Sequence, residues 1–424
     1  MNLKRVLVDP TIDLNRFHYS FVETLIYVYF NNGESKCDDC YEVLKRIDKL
    51  KQHRKEVICY FAKTMRSFGC HQYAGVREKW KEIDDFFVSE LELYADYYLT
   101  DNGGNQFWNS KSSMYLLSAA IVLADKGNWE IIKTLIEKQL KKNSKNYLIR
   151  VSLAYNAKQI YDLDKEYLFE KVPFIFNTED KIEIEGVYTG FLYDSVFYRF
   201  YDSDWIEFLR DRGILSDIFR RQYRDNFIEC YGEGLFFRVM FGELPVDIVP
   251  VIIEADGLTA FSMFLYELIN KDNEQYGEHL DSLLLILKAI EPLLKAKQDR
   301  YIERFLQLGH KYSQLKDECF IIIEKLCSFG FDSIHIERIR EALSGYSEED
   351  KIQLIKWITV KMKCHEYESE SLIKLLFDDI DWTGKNDDFK DVILNLKKNN
   401  EADLITKICE EYSKRYEIDE KGSK

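Results

Sequence analysis

The sequence predicts an all-α fold of stacked antiparallel helix pairs, and three observations carry that prediction. Only five prolines occur in 424 residues, at positions 10, 173, 245, 250 and 292. Proline removes a backbone donor and clashes inside a helix, so its scarcity leaves room for long uninterrupted helices. Apolar residues recur mostly at three- and four-residue spacing, the period of a helix with one buried face. In the C-terminal third, helix starts are expected near Asp299, Asp332, Glu368 and Glu401, at spacings of 33, 36 and 33 residues. Their interleaved partners start near Leu315, Ser347 and Asn386.

Taken in order, the first helix is expected over Thr11–Asn31, with Leu14, Phe17, Phe21, Leu25 and Val28 on one stripe and Asn32-Gly33 as its stop. Helical patterns follow from Cys37 to Phe68 and from Gly75 to Leu99, separated by Gly69. The polar run Asp101-Asn102-Gly103-Gly104-Asn105 reads as a loop and a domain boundary. Ser110 is placed to cap a helix ending at Gly127, and Asn128 to cap the next, whose apolar side carries Trp129, Ile132, Leu135 and Leu140. A third helix runs from Lys145 to Tyr161. Ile182-Glu183-Ile184-Glu185 then alternates, a strand signal. A short β-hairpin near 180–188, or a tight loop between helices, is the expectation there. Pro245 and Pro250 require short or kinked helices, and a second boundary is expected near 232–256. In the last third, Ser347-Glu348-Glu349-Asp350 reads as a capped start, with Gly330 and Gly345 as stops. The resulting division is 1–102, 103–255 and 256–424.

A two-helix unit recurring about every 35 residues is similar in outline to the tetratricopeptide and HEAT-like repeat class. The likeness covers about 130 residues and rests on the period; the tetratricopeptide consensus of Trp, Leu-Gly, Tyr, Ala, Phe and Pro is not matched. It implies an α-solenoid architecture in the last third.

Composition narrows the function classes. At 46% hydrophobic and 15% aromatic, with 28 Tyr and 28 Phe, the chain can bury a thick aromatic core. A net charge of −15 opposes broad binding to nucleic acid or anionic membranes. The best apolar run, Met114–Ala124, is about half of a membrane span. The start, Met1-Asn2-Leu3-Lys4-Arg5, lacks the apolar run of a secretion signal. Nine scattered cysteines fit a reducing compartment, so a cytoplasmic protein is expected.

Little in the sequence carries chemistry. Arg66 and His71 are separated by four residues, and Arg304 and His310 by five. This resembles the Arg/His motif of HEPN ribonucleases, in which His moves a proton and Arg stabilises a charged phosphorane. Ser67 and Phe305 follow the two arginines, and Gly69 and Gly309 fall inside the spacers. Cys37-Asp38-Asp39-Cys40 has the spacing of half a zinc site, with Cys59, Cys70 and His71 as the nearest further ligands. Asp378, Asp379 and Asp381 form an acidic cluster that departs from a calcium loop at Trp382 and Gly384. Phosphate-loop, dinucleotide-loop, zinc-protease and serine-hydrolase motifs are missing. The expectation is no catalytic residue, no metal and no cofactor.

Residues 188–238 hold seven of the 19 arginines among many aromatics. Such a mixture suits a protein partner or stacked bases, but Asp194, Asp202, Asp204, Asp211, Asp217 and Asp225 are close enough in sequence to pair with the arginines internally. Trp205, Arg220, Tyr223 and Arg224 are the candidate partner anchors. The reading is a non-enzymatic helical-repeat scaffold or adaptor that binds a protein partner. A HEPN-like metal-independent ribonuclease is the alternative, and a sensor or accessory subunit of a bacterial defence or toxin–antitoxin system is a third.

Overall fold

Side-chain caps set many of the helix starts. In the computed structural model, Asp125 accepts from the Asn128 amide, Asn146 from Ile149, and Asp202 from Trp205. Ser347 and Asp350 form a reciprocal capping box. Gly257 and Gly330, both at positive φ, close the helices that precede them. The structure describes residues 3–31, 37–68, 77–100, 112–220, 227–271, 274–296, 298–331, 335–361 and 366–416. Among the described residues the fold is all-α, without strands.

The chain divides into two compact units, residues 1–200 and 201–424. The polar loop at 101–105, one of the boundaries expected from sequence, lies outside the described residues.

The first unit contains α1 (Leu3–Val8), α2 (Tyr19–Asn31), α3 (Cys37–Asp48), α4 (Arg54–Phe68), α5 (Arg77–Leu93), α6 (Ala95–Tyr98), α7 (Ser112–Leu123), α8 (Lys126–Lys142), α9 (Tyr147–Ala154), α10 (Ala157–Phe176) and α11 (Lys181–Phe197). Contacts run from α2 to α4, α7, α9 and α11 in one row, and from α3 to α5 and α8 in another. Helix α7 is apolar on all sides, and every residue from Met114 to Ile121 is buried. The apolar run is therefore a central core helix. No single described helix is long and apolar enough to cross a membrane.

The second unit contains α12 (Ser203–Asp211), α13 (Ile214–Arg220), α14 (Phe227–Met240), α15 (Ile248–Asp256), α16 (Phe261–Asn270), α17 (Glu274–Gly277), α18 (Leu280–Ile290), α19 (Ile302–Lys311), α20 (Lys316–Phe329), α21 (Ile336–Ala342), α22 (Glu348–Val360), α23 (Glu366–Phe377), α24 (Asn386–Lys398) and α25 (Ala402–Tyr416). One row packs successively as α13, α15, α18, α20, α22 and α24, the other as α14, α16, α19, α21, α23 and α25. These are the contacts of stacked helices.

Side chains bridge neighbouring pairs at similar sequence distances. In the second unit Lys316 reaches Asp350 across 34 residues, Lys356 reaches Asp388 across 32, Arg340 reaches Asp379 across 39, and Arg304 reaches the Ser262 carbonyl across 42. In the first, Arg54 reaches Glu90 across 36 residues, Lys133 reaches Asp164 across 31, and Asn156 reaches Ser118 across 38.

The structure corrects several local expectations. Residues 181–197 form helix α11, and neither a hairpin nor a loop occupies 180–188. The Asp180 carboxylate accepts from the Ile182 and Glu183 amides, so the alternating segment is the first turn of a capped helix. Its inward face is set further along by Val187, Tyr188, Phe191 and Leu192. The helix expected from Thr11 begins at Tyr19, after a 3₁₀ turn at Leu14–Arg16. Asp125, and not Asn128, caps α8; Asn128 is buried and donates to Asp84 and Asp85. The helix expected over 145–161 breaks between α9 and α10.

Candidate functional site

The arginine- and aromatic-rich zone turns out to be largely self-satisfied. Trp205 is 0% exposed, on the same face of α12 as Ile206 and Leu209. It is a core residue and cannot serve as a surface anchor, because its i, i+1, i+4 neighbours place it against the helix stack. Arg220 is exposed at the end of α13, 3.8 Å from Asp217. Tyr223 and Arg224 lie outside the described residues. Arg210 binds Asp247 at 2.9 Å and Asp211 at 3.1 Å, Arg238 pairs with Glu243, and Arg212 lies over the Phe208 ring at 3.5 Å. Asp202 is used as a helix cap, and Asp194 is buried with the Lys158 amide as its donor.

The Arg304/His310 pair does not converge on one point. Arg66 is 6% exposed and donates to the Tyr155 carbonyl, while His71 lies outside the described residues. Arg304 and His310 sit six residues apart on α19, about 9 Å along the axis and roughly 120° apart around it. Arg304 turns to α16, where Nη1 donates to the Ser262 carbonyl at 2.7 Å. The His310 ring packs against Gly345, with the Tyr346 ring 5.9 Å away.

Cys40 and Cys59 are buried, and burial raises the thiol pKa of Cys59. Cys70, His71 and the Cys37 side chain fall outside the described residues. Among the described residues no group of three His, Cys, Asp or Glu side chains is arranged to hold a metal ion. The three aspartates at 378–381 each have a different partner. Arg415 binds Asp378, Arg340 binds Asp379, and Asp381 accepts from the Thr383 amide and hydroxyl.

The most site-like feature of the second unit is a polar groove of about 640 Å³. Helices α16, α19 and α21 line it, with Glu229 contributed by α14 and Thr259 by the turn before α16. Arg300, Arg304, Arg338 and His335 bring the basic groups. Arg304 is part-buried and fixed by Ser262. The Arg300 guanidinium lies 4.9 Å from the Tyr301 ring centroid and donates to the Tyr301 hydroxyl at 3.0 Å. Neither Arg300 nor Arg304 makes an ion pair among the described residues. The acidic groups are Asp299, which is 7% exposed, Glu229, and Glu303. Glu303 accepts from Gln307 at 3.2 Å and lies 4.0 Å from Arg338. Arg300 also acts on nearby Asp256, whose carboxyl is pushed up to about 6 by burial, against the Ala260 amide and the arginine.

Of the groove's basic residues, the sequence pattern singles out only Arg304, and for a different role. A signal was present. Ile302-Glu303-Arg304 and Ile336-Glu337-Arg338 are the same triplet, 34 residues apart, and each opens its helix. Tracking the apolar period alone passes over it, because the repeated residue that matters is charged. No family model matches the sequence, and no curated protein or solved structure gives a significant match.

Proposed function

We propose that this chain is an α-solenoid scaffold that holds a protein partner along the row formed by α14, α16, α19 and α21. The observation that carries the reading is the repeated Ile-Glu-Arg triplet. It opens two successive helices of one row and sets Arg304 and Arg338 along a single groove. Repeat proteins present extended surfaces in this manner, with equivalent positions of neighbouring units side by side. Bridges of 31 to 42 residues between neighbouring helices support a repeat of helix pairs. In this reading the period extends beyond the last third into both units.

Affinity purification of the tagged chain from its native cell, with and without nuclease, tests the proposal. One stoichiometric protein partner that survives nuclease is the expected result. Recovery of RNA alone, lost on nuclease treatment, would overturn the scaffold reading in favour of a nucleic-acid enzyme or sensor.

A further inference from the structure

The scaffold reading leaves the chemistry of the partner open, and the groove narrows it. Acidic residues outnumber basic ones in this chain, 74 to 59. Several of its described arginines have found a carboxylate, as Arg54, Arg210, Arg340 and Arg415 do. Arg300 and Arg304 are exceptions, and both line the same groove. Each is held by a single neutral acceptor, the Tyr301 hydroxyl and the Ser262 carbonyl respectively. A guanidinium carries five donors, so most N–H groups on each remain for a ligand. The anchoring contacts also fix the two side chains before any ligand arrives, which reduces the entropy lost on binding.

The acidic groups of the groove do not neutralise this pair. Asp299 is buried, and Glu303 is engaged by Gln307 and lies beside Arg338. Glu229 comes from another helix, α14. Such a layout orients a ligand: its carboxylates favour Arg300 and Arg304, and are repelled by Glu229. Asn270, Gln307 and Thr259 add amide and hydroxyl groups suited to a peptide backbone. The volume lies within the range of about 300–1,000 Å³ typical of pockets that bury most of a small ligand.

We propose that the groove binds an acidic peptide segment of the partner, with its carboxylates on Arg300 and Arg304. The inference rests on the scaffold reading. It is tested with the purified full chain on an array of random 12-residue peptides. Bound peptides are expected to be enriched in Asp and Glu, and the Arg300→Ala/Arg304→Ala variant to bind them at least about tenfold more weakly. Lys407→Ala, exposed on α25, should bind as wild type does. Arg304→Glu should shift the selected peptides from acidic towards basic. Thermal melting of each variant checks that it is folded. The proposal is overturned if bound peptides show no acidic enrichment, if the enrichment survives the double variant, or if a single-stranded RNA oligonucleotide is retained in place of peptides. A native partner that copurifies equally with the double variant would remove the groove inference and leave the scaffold standing. Absence of any partner with wild type would remove the scaffold reading itself.

Discussion

The guanidinium of Arg66 lies over the ring of Tyr155, 3.7 Å from its centroid, and donates from Nη2 to the carbonyl oxygen of the same residue at 2.8 Å. One side chain thereby ties α4 to the junction of α9 and α10, 89 residues away. The carbonyl it satisfies lies where the helix breaks.

Arg66→Ala should therefore destabilise the first unit by about 2–4 kcal/mol, through loss of a buried hydrogen bond and of the stacked cation. Arg66→Lys should recover little, because an ammonium cannot lie flat on the ring while reaching the carbonyl. Urea unfolding of the three proteins measures this. A neutral Arg66→Ala would remove the structural role.

Asp194 gives a pH signature. Burial pushes its carboxyl up to about 7, against the Lys158 amide at 2.9 Å and the charges of Arg66 and Lys158, while Asp162 reinforces the rise. Its Oδ1 has no hydrogen-bond partner among the described residues. The folded chain holds this proton where the unfolded chain, with the ordinary value of 3.8, has released it. Stability from this group is thus fullest at low pH, declines as pH rises from about 4 through about 7, and is level above that. Asp194→Asn should remove this contribution, so that the wild-type-minus-variant stability difference falls between pH 5 and about 7 and is level by pH 8. Asp84 and Asp256, both pushed up to about 6 by burial, keep a slope of the same sign in the variant. Equal pH profiles for the two proteins would contradict the assignment.

Glu90 anchors a network in the first unit. Arg54 holds it with both terminal nitrogens, at 2.8 and 2.6 Å, and the Tyr98 hydroxyl donates to it at 2.7 Å. Arg54 also binds Asp48 at 2.5 Å. Glu90→Gln should cost about 2–4 kcal/mol, since the part-buried guanidinium keeps only Asp48 as an opposing charge. Tyr98→Phe should cost about 1 kcal/mol. A double-mutant cycle between the two positions should return a coupling clearly different from zero, which additive losses would not.

Two glycines separate packing from conformation. A Cβ at Gly232 would meet the Ala260 carbonyl oxygen at 2.7 Å, where α14 passes the start of α16. Gly232→Ala should cost about 1–3 kcal/mol, because backbone must move. Gly277 has open space around its Cβ position, and Gly277→Ala should stay within about 0.5 kcal/mol of wild type. Thermal melts of both variants report the difference.

Helix content was readable because its causes are local. Ser347 and Asp350 cap α22 as their spacing implies, and Gly330 ends α20. Helices begin at Ile302, Ile336, Glu366 and Ala402, close to the starts expected from the 33- to 36-residue spacing. Ile182-Glu183-Ile184-Glu185 misled because four residues are too few to distinguish a period of 2 from one of 3.6; the deciding features are Asp180 before it and Phe191 after it. Trp205 misled because composition cannot tell inward from outward. Its face-mates Ile206 and Leu209 could have done so. The groove depends on residues 34 to 42 positions apart becoming neighbours, as Arg304 and Ser262 do, and only the recurring triplet hints at that.

The bridges between helix pairs have a consequence for how such a chain can change over generations. Lys316 depends on Asp350, and Lys325 on Glu291, each 34 residues away. A single inserted residue inside a helix would rotate everything beyond it on that helix by about 100° and separate such partners. Duplication or loss of a whole helix pair would leave every bridge outside the altered stretch with the partner it already has. Chain length can therefore vary in steps of one pair, and surface residues such as Arg304 and Arg338 can be copied along with the pair that carries them.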